Sequence, residues 1–110
     1  MLPMPIADHD AITKELAETG RYVKVLWQSD DTLMFIARGR AYRSEFHINP
    51  SDEHMTVLKG EMKLHYRKPD GSEDIAVLKE GETIYTAAGI PHSPRFPEDA
   101  FLLVGERMRR

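Results

Sequence analysis

The sequence predicts an all-β fold, a sandwich or closed barrel preceded by one short helix, and two observations support this prediction. Over most of the chain, short runs rich in β-branched and aromatic residues alternate with turn residues, a pattern typical of sandwiches and barrels. Only the first part has a helical pattern, in which Asp8 or Asp10 can cap the N-terminus and Gly20 can end the helix. We therefore expect an N-terminal helical segment (residues 1–21) followed by a barrel (residues 22–110).

The predicted strands are separated by tight turns. Lys68-Pro69-Asp70-Gly71 is a strong hairpin signal, because Pro presets one turn position and Gly accepts a positive φ. Lys59-Gly60 and Glu80-Gly81 mark two more tight turns. The predicted strands are Tyr22–Gln28, Thr32–Ala37, Arg43–Ile48, Met55–Leu58, Glu61–Arg67, Ile75–Leu78, Thr83–Thr86 and Phe101–Glu106.

The composition of the 110-residue chain excludes several classes of protein. Fifteen basic residues stand against 18 acidic ones, for a net charge of −3, so the basic excess typical of nucleic-acid surfaces is absent. There is no cysteine, and hence no disulfide framework, thiol nucleophile or cysteine-rich metal site. No apolar run approaches the ~20 residues that cross a bilayer. No basic segment followed by an apolar stretch begins the chain, so we expect a cytoplasmic protein without a signal peptide.

Two spacings of histidine, glutamate and glycine carry the candidate chemistry. They are His47-x5-Glu53-x6-Gly60 and Gly81-x5-Ala87-x-Gly89-x2-His92. Because side chains alternate along a strand, Glu53 shares a face with Met55 and Val57, and His47 can point into the same interior. Two histidines and one carboxylate are the ligand set associated with non-haem iron(II) and open coordination positions. The spacings therefore predict a site for one divalent metal.

The paired spacings resemble the two motifs of the cupin superfamily, whose fold is a double-stranded β-helix or jelly-roll barrel. The resemblance implies a single cupin barrel that holds one metal ion through His47, Glu53 and His92. Asn49 stands where many cupins have a second histidine, and Ala87 stands where proline is common.

Strand alternation separates the remaining histidines from this site. His54 neighbours Glu53, so we expect it to face the other way and not to be a ligand. His65 alternates with Lys63, so we expect it to be solvated, and we expect His9 to be exposed.

The second motif and the C-terminal strand resemble a narrower family. The segments Pro91-His92-Ser93-Pro94-Arg95-Phe96 and Leu103-Val104-Gly105-Glu106-Arg107 are similar to the Pro-His-Ser-Pro-Gln-Arg and Val-Glu-Arg segments of 3-hydroxyanthranilate 3,4-dioxygenases. Upstream, Gly39-x3-Arg43-x3-His47 and Trp27-Gln28 resemble further parts of that family. The resemblance covers roughly residues 24 to 110 and implies an enzyme that opens an aminophenol ring with dioxygen and ferrous iron.

This resemblance also implies roles for individual residues. The implied iron ligands are His47, Glu53 and His92, the implied carboxylate-binding arginines are Arg43 and Arg95, and the implied acid at the ring substituents is Glu106. A guanidinium presents a planar fork suited to a carboxylate. Glu106 shares a strand face with Val104, so it can enter the barrel. The implied partners are a small, 3-hydroxyanthranilate-like aromatic acid and O2, with one Fe(II) per chain.

Several departures from the family leave the substrate open. Arg95 follows His92 by three positions rather than four, and an asparagine of the family's pocket falls at about Val23. Ala41 and His54 also depart, and the chain lacks the cysteine-bearing tail that binds a second iron in many bacterial members. Three alternatives therefore remain: ring cleavage of a different aminophenol or catechol, non-catalytic binding of a small acid, and a cupin isomerase or decarboxylase.

The last predicted strand also indicates assembly. Phe101 and Leu103 alternate with the inward Leu102 and Val104, so they should lie on the outer face. A row of exposed apolar side chains suggests that another surface covers them. We therefore predict a homodimer, with coverage by the N-terminal helix as the alternative.

Overall fold

A computed structural model describes residues 4–40 and 45–107 of the chain. In these ranges one helix and eight strands form, in agreement with the predicted all-β class. The elements are α1 (His9–Thr19), β1 (Val23–Gln28), β2 (Thr32–Arg38), β3 (Asp52–Lys59), β4 (Glu61–Arg67), β5 (Glu73–Lys79), β6 (Thr83–Thr86), β7 (His92–Arg95) and β8 (Phe101–Arg107).

Helix α1 begins and ends at the residue types that its sequence indicates. The Asp8 side chain accepts a hydrogen bond from the backbone N–H of Ala11 at 3.1 Å, so Asp8 rather than Asp10 is the N-cap. Gly20 ends the helix with a φ of 74°, where glycine avoids the steric cost of a side chain. No helix within residues 4–40 or 45–107 is long and apolar enough to cross a membrane.

The described strands form two antiparallel sheets. The larger sheet has the order β1-β2-β8-β3-β6, and the smaller one has the order β5-β4-β7. The strand that we predicted over Arg43–Ile48 is described only from residue 45 onward, where His47 forms an isolated bridge with His92. Strand β7 was not predicted, because Pro91, Ser93 and Pro94 break the apolar pattern of a strand.

The apolar core lies on the inner faces of the strands. Its buried members are Met55, Val57, Met62, Leu64, Leu78, Leu102 and Val104. Phe35 and Phe96 pack against this cluster while remaining partly exposed. The predicted alternation on β8 is confirmed, because Leu102 and Val104 belong to this inner cluster whereas Phe101 does not.

A second apolar cluster lies between α1 and the larger sheet. Leu16 of α1 is buried with Ile36 and Phe101, and Leu103 packs against them. The helix therefore covers the outer face of β8, and our expectation that Phe101 and Leu103 need a second copy to cover them was wrong. The covering surface is supplied by residues far away in sequence. The homodimer remains a prediction without this support.

Gly39 lies where any side chain would collide with the backbone, so we expect Gly39→Ala to destabilise the fold. A Cβ atom there would lie 1.9 Å from the carbonyl oxygen of Pro97. Overpacking typically costs about 1–3 kcal/mol, and we expect about 3 because a backbone oxygen cannot easily move away. Urea unfolding measures the change. Gly105→Ala is the control, since its Cβ would meet only the flexible end of Met34 at 3.3 Å. This substitution should cost about 1 kcal/mol or less. Equal costs for the two substitutions would contradict the expectation.

Candidate metal centre

Three parts of the chain bring His47, Glu53 and His92 together. The backbones of His47 and His92 exchange two hydrogen bonds of 3.0 Å, which places the two residues directly opposite each other. Glu53 lies on β3, opposite Thr86 of β6 on one side and Glu106 of β8 on the other. Because strand alternation puts Glu53 on the face of the buried Met55 and Val57, its carboxylate points inward, as the sequence predicts.

The candidate ligand atoms of these three residues converge. One atom from each of His47, Glu53 and His92 lies within 4.8 Å of the others. The two imidazole rings are 4.5 Å apart and inclined at 63°. Glu53 is 5% exposed and His92 1% exposed, so both lie in the protein interior.

The hydrogen bond of His92 orients the ring for a ligand. Its Nδ1 lies 2.8 Å from the carbonyl oxygen of Ile90, which can only accept, so Nδ1 carries the proton. In the neutral ring, Nε2 then has a free lone pair, as in histidine ligands whose other nitrogen donates to a carbonyl. That lone pair faces Oε1 of Glu53 at 2.9 Å.

The contact between His92 and Glu53 fits a bound divalent cation. Two acceptor atoms face each other there, and in the described part of the chain neither buried atom has a hydrogen-bond partner of acceptable geometry. Burying a carboxylate costs free energy unless it is paired, protonated or bound to a metal. Imidazole nitrogen and carboxylate oxygen both suit divalent iron and zinc.

The pKa values of Glu53 and His92 shift in the directions expected for two groups that interact. Burial raises the pKa of Glu53, but His92, Glu106 and Asn49 together lower it below its usual value. Burial lowers the pKa of His92, but Glu53 and the Ile90 carbonyl raise it above its usual value. Each shift favours the charged form of its group, so the Glu53 carboxylate and the His92 ring lie in an environment that accommodates charge.

Glu106 is the fourth predicted residue that the structure brings to this centre. It pairs with Glu53 across β3 and β8, and the Asn49 side-chain amide donates to its Oε1 at 3.3 Å. Burial, followed by the nearby Glu53 carboxylate, raises the pKa of Glu106. Asn49 was not among the predicted site residues, although its position two residues after His47 was a signal that both side chains lie on one face.

The structure does not bring Arg95 to the candidate ligands. Arg95 follows His92 by three residues on β7. Its side chain therefore projects from the face of the strand opposite to that of His92. Its Nε donates to the Ser93 hydroxyl at 3.4 Å, and its guanidinium carbon lies 6.0 Å from the centre of the Phe46 ring. The neighbouring Phe96 packs against the core instead. Arg43 lies outside the described residues.

A cavity of about 520 Å³ lies beside β7, the strand that carries His92. Pro94 lines this cavity and shares a strand face with His92, two residues or about 7 Å along β7. Its apolar lining includes Val23, Phe35, Ala37 and Phe96, and its charged lining is Arg38, Arg40, Glu61, Lys63 and Arg95. Four cationic side chains against one carboxylate make the cavity suitable for an anionic ligand with an apolar body.

The other histidines lie away from the centre. His54 is exposed and packs edge-on against Tyr85, and His9 is exposed, as predicted. The prediction that His65 is solvated was wrong, because its side chain is only 13% exposed and its Nδ1 lies 3.3 Å from the Glu73 carboxylate.

The fold is similar to that of solved cupins. A cupin-2 domain containing protein from Shewanella frigidimarina NCIMB 400 superposes with a TM-score of 0.74 at 15% sequence identity, over 94% of this chain and 96% of that one. This likeness shows the fold, a cupin barrel of two antiparallel sheets.

Sequence comparison identifies the family. A 3-hydroxyanthranilate 3,4-dioxygenase from Bacillus thuringiensis (strain Al Hakam) is 34% identical over 96 residues, which are 87% of this chain and 54% of that protein. The Bos taurus protein of the same name is 34% identical over 86 residues, 78% of this chain and 29% of that protein. The chain thus spans about half the length of the bacterial relative. The family model of 3-hydroxyanthranilic acid dioxygenase matches residues 14–110, so the chain belongs to this family.

Proposed function

We propose that the protein is a non-haem Fe(II) dioxygenase that opens the ring of a carboxylated, 3-hydroxyanthranilate-like aminophenol by extradiol-type cleavage. The observation that carries this proposal is the convergence of His47 with the buried Glu53 and His92, whose candidate ligand atoms lie within 4.8 Å of one another. Two histidines and one carboxylate leave positions on iron open for small ligands. Membership of the 3-hydroxyanthranilic acid dioxygenase family supports the reaction class.

The three ligand residues would hold one iron ion per chain. Iron(II) bound there supplies the redox chemistry by which dioxygen reacts with an aromatic ring. His92 would bind through Nε2, because the Ile90 carbonyl holds the proton on Nδ1. Glu53 adds a negative charge that offsets part of the metal's charge and lowers the cost of burying the ion.

Glu106 would accept a proton from the substrate. Its carboxylate lies beside Glu53, so a substrate hydroxyl or amine that approaches the metal also approaches Glu106. Removing a proton there prepares the aminophenol for reaction, and a positioned carboxylate typically contributes a factor of about 10² to 10⁴ to such a step.

The substrate carboxylate would bind at the cationic side of the neighbouring cavity. Arg95 lines this cavity, and its guanidinium is free of carboxylate partners in the described residues. The predicted role of Arg43 is kept on the strength of the family resemblance. Pro94, which lines the cavity, lies two residues or about 7 Å along β7 from His92, so a substrate bound at the centre would extend toward the cavity in this proposal.

Replacing Arg95 by alanine is expected to weaken the affinity for a carboxylated substrate by about ten- to a hundredfold. The reason is the loss of one charge-assisted hydrogen-bonding group, which contributes roughly 1.5–3 kcal/mol. The dissociation constant for the carboxylated compound, measured anaerobically, reports the change. Arg67→Ala is the matched control, because Arg67 stacks 4.7 Å from Phe46 but does not line the cavity. An equal effect of the two substitutions would remove Arg95 from the site.

The proposed function is tested by oxygen uptake. Protein loaded anaerobically with iron(II) is mixed with a panel of carboxylated aminophenols, catechols and their counterparts without the carboxylate. We expect the fastest uptake with a carboxylated 2-aminophenol. Equal uptake with and without the carboxylate would contradict the proposed recognition of that group, and no uptake with any member would contradict the proposed chemistry.

A further inference from the structure

The side chain of Asn49 lies between Ser51 and Glu106, with both of its ends hydrogen-bonded. Its Oδ1 accepts from the Ser51 hydroxyl at 2.9 Å and from the Ser51 backbone N–H at 3.4 Å. Because these two groups donate, the oxygen end of the amide must face Ser51. The NH2 end is thereby directed at Glu106, where Nδ2 lies 3.3 Å from Oε1.

The loop that carries Asn49 is held by burial and by further hydrogen bonds. Ser51 is 3% exposed, and the backbone carbonyl of Asn49 accepts a separate hydrogen bond of 2.9 Å from Gly89. The loop is also tied to the second motif through the Asp52 carboxylate, which accepts from the Ala88 backbone N–H at 2.9 Å. These contacts hold the loop together with the Asn49 oxygen end, and they leave the NH2 end of the amide directed at Glu106.

Glu106 needs a donor to hold it near the centre. Its neighbour across the sheet is Glu53, and two carboxylates side by side repel each other. A lysine or arginine beside Glu106 would cancel its charge, whereas a neutral amide donates a hydrogen bond and leaves the charge in place. Asn49 meets this requirement.

We propose that Asn49 is a positioning residue, anchored by Ser51, that fixes the direction of the Glu106 carboxylate. The hydrogen bonds are a property of the fold, while their consequence for turnover rests on the proposed function. Asn49 itself touches neither substrate nor metal in this proposal, and it acts through Glu106.

Amide NMR tests the positioning without using the reaction. Asn49 is the chain's single asparagine, so selective ¹⁵N-asparagine labelling gives one side-chain NH2 pair. In the metal-free protein, Glu106→Ala and Ser51→Ala are each expected to shift this pair and to speed its exchange with solvent. Ser72→Ala is the control, because the Ser72 hydroxyl bonds Asp70 on an exposed hairpin. An Asn49 pair that is unchanged in Glu106→Ala would overturn the proposal.

A double-mutant cycle tests the consequence for turnover. Asn49→Ala should lower kcat by about tenfold, as expected for the loss of one hydrogen bond to a charged group, with unchanged metal content and a smaller change in KM. In a Glu106→Gln background the same substitution should have almost no further effect on kcat. If the double variant instead loses kcat by the product of the two single factors, the effect of Asn49 is independent of Glu106. That result would overturn the proposal.

A conservative variant separates positioning from loss of structure. Asn49→Asp keeps an oxygen for Ser51 but loses the donor to Glu106. It also adds a carboxylate beside those of Glu106 and Glu53, so it should lower kcat more than Asn49→Ala does. A kcat equal to that of the unsubstituted chain would overturn the proposal. If the unsubstituted chain consumes no oxygen, the proposed function fails, and the amide signals still decide the positioning.

Discussion

Replacing His92 by alanine is expected to abolish metal binding. His92 is buried, and the Ile90 carbonyl fixes its ring so that Nε2 faces Glu53 at 2.9 Å. Removing one of three protein ligands leaves a pair too weak to retain a divalent ion through desalting. Elemental analysis of anaerobically loaded protein should fall from one metal per chain to almost none, and His47→Ala should give the same result.

Two other histidines supply the controls for this measurement. His54→Ala and His65→Ala should leave the metal content unchanged, because His54 is exposed and His65 is paired with Glu73. A full complement of metal in either His47→Ala or His92→Ala would show that the ligands are assigned wrongly.

Replacing Glu106 by glutamine is expected to lower turnover by about a hundredfold or more while metal content stays normal. The amide keeps the shape of the side chain but cannot accept a proton as a carboxylate does, and a positioned base contributes a factor of this size. Steady-state oxygen uptake at saturating substrate gives kcat, and elemental analysis of the same sample gives the metal.

Glu73→Gln is the matched control for Glu106→Gln. Glu73 also contacts a histidine, His65, but on the outer face of the smaller sheet. Its replacement should leave kcat within about twofold of that of the unsubstituted chain. A normal kcat in Glu106→Gln would show that the proton is taken by another group.

Side-chain alternation made the strand faces predictable. The inward positions of Glu53 and Glu106 follow from their spacing to Met55 and Val104, because buried and exposed positions repeat every two residues. The helix boundaries were also predictable, since capping depends on Asp8 and Gly20 within a few residues of the helix.

Features that depend on contacts between distant residues were less predictable. Strand β7 forms because Tyr66 of β4 pairs with His92, although Pro94 argues against a strand. The docking of Leu16 against Phe101 joins the two ends of the chain. Arg95 was matched to its family by residue type, but its spacing of three from His92 puts it on the other face of β7. Side-chain alternation predicts the opposite faces of His92 and Arg95, but only once the segment is known to be a strand.

The central claim is that iron and dioxygen together open the ring of the substrate. Its most direct test is the ratio of dioxygen consumed to substrate lost, measured with iron-loaded protein in air and repeated without oxygen. The proposed function predicts one dioxygen per ring cleaved, with no substrate loss under anaerobic conditions. Substrate loss without oxygen would instead show an isomerase or decarboxylase. Tight substrate binding with neither substrate loss nor oxygen uptake would show a non-catalytic acid-binding protein. Either result would contradict the proposed function.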